Sequence, residues 1–267
     1  MNGMVLVVAV VVLITLGLVA QTMITRSRRR HSMTLRLNEE QRHALAEDFR
    51  LFARLPEGIR DELEGLMHVF MAEKSFEACG GLEFVSGHMQ RVISAQACLL
   101  LVNRKHDFYR KLRSILLYPS AYKAKNEHGG EDVRLGESWN SGSVILAWES
   151  VISNGRNDED GHHVTLHEFA HQLDQVDGVA DGVPELSGQG SYREWSMAFG
   201  KAFERFQHKL DRGRRTVIDP YGATNPAEFF AVATETFYEK PAQLRKHYPQ
   251  VYQQLSLYYQ VDPIEWD

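Results

Sequence analysis

The chain has 267 residues and a formal net charge of −5, with 24% charged and 43% hydrophobic side chains. That balance excludes a disordered or fibrous chain, and no basic stripe in it marks a nucleic-acid surface. Two cysteines, Cys79 and Cys98, lack zinc-type spacing and are too few for a disulfide scaffold, so both are expected to be reduced core residues.

Residues 1–25 carry no charged side chain, and Gly3 to Met23 is almost wholly apolar. About twenty residues rising 1.5 Å each span about 30 Å, the thickness of a bilayer core. Arg26, Arg28, Arg29 and Arg30 follow at once. A secretory signal peptide has the reverse order, with its positive charge before the apolar stretch, and a cleaved signal is the alternative reading. The positive-inside rule then leaves the short N-terminus outside and the remainder in the cytoplasm, on an inner membrane crossed once. Three parts are expected: an anchor over 1–25, a basic juxtamembrane linker over 26–37 and a catalytic domain over 38–267. A polar bridge covers roughly Ser27 to Asn38.

Asn38 is an N-cap for a helix over 38–54, and Pro56 opens a second to about Glu73. Phe76 to Cys79 reads as a short strand stopped by Gly80-Gly81. Residues 88–103 read as a buried helix, and Ser114 to Tyr118 as a strand ended by Pro119. Ser143 to Trp148 is another strand. It is either an edge strand that pairs with an extended substrate beside the catalytic helix or an ordinary member of the sheet. Ser153 to Asp158 is a polar loop offering helix caps. Val164 to Leu173 has helical apolar spacing, closed by Gly178. Residues 192–211 form an amphipathic helix, and Pro226 starts another that runs to about Tyr238 before Pro241. The fold class is α+β, mainly helical with a small sheet, behind one transmembrane helix.

The segment His167-Glu168-Phe169-Ala170-His171 has the pattern His-Glu-x-x-His. Residues four apart share a helix face, so both imidazoles can reach one ion. Glu168 lies about 100° further round, placed to take a proton from water on the metal. His162 and His163 read as helix-start residues. Asp174 shares a face with His171 and either orients a ligand or is exposed.

A catalytic zinc needs a third ligand. A histidine six residues after His171 is excluded, because that position is Asp177. Two later carboxylates compete. Glu228 sits in the first turn of an otherwise apolar helix, where binding a cation would remove the cost of burying it. Glu235 lies two turns on and is either the ligand or the group that holds an imidazole N–H, and either glutamate could instead be a carboxylate exposed at the rim of its helix. Tyr221 could donate to the oxyanion of a hydrated carbonyl or could be structural.

Several stretches in order carry a resemblance: Ile115-Leu116-Leu117-Tyr118-Pro119, Gly136-Glu137-Ser138-Trp139, Val144 to Trp148, His167 to Asp174, and Tyr221 through Phe230. They make the chain, from about Leu55 to Asp262, resemble the Mlc titration factor A family of zinc peptidases. The resemblance implies a zincin-like metallopeptidase domain, similar in its core to the anthrax lethal factor protease. It implies one zinc ion held by His167, His171 and Glu228, with Glu168 as base and Tyr221 aiding the transition state. It implies aminopeptidase-type activity on small peptide substrates. The founding member binds a sugar-responsive transcriptional repressor and affects glucose uptake, so a repressor partner is also implied. That founder is soluble and cytosolic, whereas this chain opens with an apolar segment; the difference bears on the repressor and leaves the chemistry untouched. Two rival classes remain: a regulatory binding protein with a secondary zinc site, and a zinc hydrolase of another amide. An intact Glu168 counts against the first, because a structural site needs no base.

Overall fold

The computed structural model describes residues 3–125, 131–139, 142–186 and 191–266. Helix α1 (Gly3–Ser32) opens the chain. Val7–Ser32 is the one helix among the described residues long and apolar enough to cross a membrane, and its apolar side chains lie bare. The helix does not give way to a polar bridge at Ser27 but carries the arginines for a further turn and a half. Arginine is a good helix former, and the end of the helix is docked on the body. Arg29 makes a fork to Glu73 at 2.6 and 2.8 Å and lies 4.3 Å over the Phe108 ring. Gly65 lets the backbone of Met33 close in, since a Cβ there would stand 2.6 Å from the Met33 carbonyl oxygen.

Helix α2 (Glu39–Asp48) starts with a capping box between Asn38 and Gln41. The single helix expected over 38–54 is broken at Phe49, whose extended backbone separates α2 from α3 (Arg50–Arg54). Phe49 turns inward instead, fully buried and edge-on to His163 at 5.8 Å. Helix α4 (Glu57–Glu73) has Pro56 as its N-cap. Strand β1 (Ser75–Ala78) and helix α5 (Gly87–Leu99) follow, α5 stopping four residues short of expectation in a run of turns.

Strands β2 (Ser114–Tyr118), β3 (Tyr122–Lys125), β4 (Glu131–Arg134), β5 (Gly136–Trp139) and β6 (Ser143–Ala147) complete the β structure. β3 and β4 form a separate antiparallel pair. The main sheet has the order β1-β2-β6-β5, with β5 antiparallel at its edge and the other neighbours parallel. β6 is therefore interior, which corrects its candidacy as the substrate edge. Its run Val144 to Ala147 is buried throughout, the pattern of a strand covered on both faces. Trp148 belongs to helix α6 (Trp148–Arg156), which also absorbs four of the six residues of the polar loop expected at 153–158.

Helix α7 (Val164–Asp174) crosses the centre of the body. Phe169 on its inner face packs against Phe70 at 5.7 Å and Tyr109 at 5.1 Å. Burying such a ring stabilises by about 1.5–3 kcal/mol, and it locks the rotation of α7. A 3₁₀ turn (Gln175–Asp177) then ends at Gly178, whose φ of 102° suits glycine. Helix α8 (Tyr192–Asp211), the 3₁₀ turn Pro220–Ala223, and helices α9 (Pro226–Glu239), α10 (Pro241–His247) and α11 (Pro249–Tyr259) close the chain. Rings from α8, α9 and α11 form one cluster, with Trp195 stacked on Phe199 at 4.2 Å and edge-on to Phe230 and Tyr258. Both cysteines are free, Cys98 deep in the core, where burial pushes its thiol well up.

Candidate metal centre

The buried face of α7 and the first turns of α9 meet across a cleft of about 1040 Å³. His167 and His171, one turn apart on α7, bring their Nε2 atoms to 3.1 Å. Glu228 Oε2 lies 3.0 Å from the first and 3.3 Å from the second. These are the three side chains among the described residues whose donor atoms could share an ion. Ligand atoms about 2.0–2.1 Å from a tetrahedral zinc stand about 3.3–3.4 Å from one another, so the triangle is nearly of the right size.

The chemistry of the donors also fits a cation. His167 Nδ1 faces Glu235 Oε1 at 2.7 Å. A carboxylate only accepts, so Nδ1 carries the hydrogen and a neutral ring turns its Nε2 lone pair toward Glu228. Lone pairs facing each other at this range need a proton or a metal between them. In the metal-free protein, burial disfavours the charged His167 ring, but Glu228 and Glu235 outweigh it and hold the ring well above its usual range. Burial likewise pushes the Glu228 carboxyl up, and the two imidazoles more than reverse that, down to about 2.

Glu228 owes its position to a local signal. Asn225 caps α9, accepting the Glu228 N–H at 2.9 Å, with Pro226 at the first helical position. Glu235, the rival carboxylate, lies against the far side of His167, and its second oxygen accepts the His163 N–H at 2.5 Å. His163 is the N-cap of α7, and His162 pairs outward with Asp219 at 3.3 Å, so neither belongs to the triangle.

Glu168 points from α7 toward the edge strand. A Cβ on Gly136 of β5 would come within 2.7 Å of Glu168 Oε1, so only the bare backbone leaves room. Gln172 ties the same two elements, donating to Ser138 Oγ at 2.7 Å. Burial pushes the Glu168 carboxyl up to about 7; His167 opposes this, and Glu228, Glu235 and Glu137 add to it. Tyr221, on the 3₁₀ turn before α9, sets its ring 6.0 Å from that of His167 and is more than half exposed in the cleft.

Asp174 is fully buried, which excludes the exposed alternative. It accepts the Gly182 N–H at 3.0 Å. Gly182 is a junction, because its carbonyl also accepts from Trp195 Nε1 at 2.9 Å and its Cα abuts the Pro226 carbonyl. Asp174 thus fastens the end of α7 to the start of α9. Sequence reasoning missed Gly136, Asn225 and Gly182. Only the Asn225-Pro226 pair had a local signature, an N-cap before proline.

Known proteins place the chain in a family. The family described as glucose-regulated metallo-peptidase M90 matches residues 23–260. An uncharacterized protein of Synechocystis sp. is 40% identical over 223 residues, covering 80% of each chain. Proteins called Mlc titration factor A are 31% identical in Serratia proteamaculans and 30% in Klebsiella pneumoniae, each covering 73% of this chain and 77% of the relative. A metallopeptidase motif, a His/Glu triangle and a match along nearly the whole chain have one reading: this chain belongs to the M90 family of metallo-peptidases, and is Mlc titration factor A-like.

Proposed function

We propose that the protein is a zinc-dependent peptidase, of aminopeptidase type, tethered to the inner membrane with its catalytic domain in the cytoplasm. The observation that carries this reading is the approach of His167, His171 and Glu228 within 3.3 Å of one another beside Glu168. One zinc ion held by those three side chains would polarise the scissile carbonyl and acidify the attacking water. Glu168 takes the proton of that water and returns it to the leaving amine, a role suited to a carboxyl held near neutrality. Glu235 keeps His167 in the ligating tautomer. Tyr221 donates its phenol to the oxyanion. The edge strand β5 lies along α7 and offers its backbone to an extended peptide, with Leu135 as an exposed apolar wall. The catalytic domain is zincin-like on this reading. The arginines that follow the apolar helix set the topology.

Glu168→Gln tests the reading. Peptidase activity is expected to fall by about 10²–10⁴-fold, while zinc content by elemental analysis stays at one ion per chain. Full activity in that variant would remove the proposed base.

A second reading is favoured by the name of the relatives, Mlc titration factor A. In it the protein titrates a transcriptional repressor and the metal is secondary. Capture of such a partner that persists unchanged in both Glu168→Gln and the zinc-free protein would favour this second role.

A further inference from the structure

The segment from Lys201 to Arg214 is rich in basic residues, and helical spacing puts them side by side. Lys201, Arg205 and Lys209 are spaced four residues apart on α8, so they share one side of the helix, and Arg212 follows as its C-cap residue. The turn after α8 brings Arg214 back beside them, its N–H bonded to the Lys209 carbonyl at 3.0 Å. Together they line a cleft of about 580 Å³ that shares no residue with the catalytic one.

Three features set this cleft apart from a solvated helix face. First, the charge is one-sided: five cations line it against one carboxylate, Glu204. Among the described residues none of the five pairs with an acid; the ion pair in this stretch is His208 to Asp211 at 4.0 Å, between exposed side chains. Like charges four apart oppose the helix that carries them, and this happens in a chain of net charge −5. Second, two of the cations are held in place. The Arg205 guanidinium and the Lys209 ammonium lie 5.6 and 5.1 Å from the ring of Tyr248, a buried residue at the junction of α10 and α11. Third, Lys209 is half-buried, and burial, together with Arg205 and Arg214, pulls its pKa down. An anion placed there would relieve that strain.

We propose that this cleft is a second site, one that binds phosphate groups. Arginine forks and lysine point charges suit phosphate oxygens. From Lys201 to Arg212 the stripe runs about 16 Å at 1.5 Å per residue, too long for one phosphate. The ligand carries several, either as a soluble polyphosphate or as a row of anionic lipid headgroups. The site lies on the back of the helix whose other side, through Gln207 and Phe206, supports the turn bearing Tyr221. It does not depend on the peptidase reading.

The full chain in non-ionic detergent is titrated with sodium tripolyphosphate by calorimetry at low salt. Saturable binding is expected. The double substitution Arg205→Gln with Lys209→Gln should weaken it at least about tenfold, and Arg193→Gln, on the same helix outside the cleft, should leave it unchanged. Lys209→Arg, which keeps the charge, should retain it, and circular dichroism verifies the fold of each variant. No saturable heat, or equal affinity in the folded double variant, overturns the proposal. Thermal unfolding in nanodiscs of phosphatidylcholine, with and without phosphatidylglycerol, separates the two sources. A stabilisation by anionic lipid that the double variant lacks assigns the site to headgroups; equal stability in both discs assigns it to a soluble polyphosphate.

Discussion

Glu228 and Glu235 lie seven residues apart on α9, two turns along one face, yet they meet opposite nitrogens of the same imidazole. The one that reaches Nε2 also faces His171, and the one that reaches Nδ1 faces the His163 backbone. Their losses should therefore differ. Glu235→Gln is expected to weaken zinc about 10–100-fold, as for other groups that hold a ligating histidine, and Glu228→Ala to weaken it further. Competition with a chromophoric chelator measures both. Stronger retention in Glu228→Ala than in Glu235→Gln would exchange the two proposed roles. Sequence made both glutamates visible but could not rank them, because a periodicity tells which face a carboxylate shares and not which atom it meets.

At the scale of elements, β5 and α9 position α7 from its two sides. Gly136→Ala would press a methyl into Glu168 and into the Val164 side chain, each 2.7 Å from the added carbon. We expect a stability loss of about 1–3 kcal/mol and a fall in kcat with zinc affinity retained, read by thermal melts, kinetics and metal titration. On the other side, α9 clamps the chain before α7 through two carboxylates, Glu235 on the His163 N–H and Glu239 on the Gly161 N–H at 2.8 Å. Burial pushes Glu239 up to about 9, with Glu235 and Asp160 adding to it. The folded protein thus keeps a proton that the unfolded chain releases near 4.5. This contribution is whole below that pH and drains away as pH rises toward 9. Glu239→Gln should be close to neutral at pH 5 and stabilising by about 4 kcal/mol at pH 8. Equal melting shifts at both values would show that Glu239 titrates normally. Neither β5 nor this clamp was legible beforehand. β5 is four residues of Gly, Glu, Ser and Trp with no apolar alternation to announce a strand, and backbone acceptors leave no mark on sequence.

For the molecule as a whole, the apolar helix and the catalytic body are physically continuous through α1. Removing residues 1–25 deletes the apolar stretch but keeps Arg29 with Glu73 and Met33 against Gly65. The shortened protein should leave the membrane fraction, keep its peptidase activity and melt within about 2 °C of the full chain, since exposed apolar turns contribute little to the core. A loss of folding on this truncation would place the stability of the body in the anchor.

What the sequence determined by itself is what contiguous residues can encode. That includes the apolar helix, the pairing of His167 with His171 at one helical turn, the start of α9 at Pro226 and the mainly helical class. What the tertiary structure decided is whatever joins distant residues. It brought Glu228 across from α9 to α7, made β6 interior and β5 the edge, and broke the helix at Phe49 to seat a ring on His163. The physical reason is that a hydrophobic period fixes the inward face of an element. Which partner that face meets, and which atoms converge there, depends on packing every other element around it.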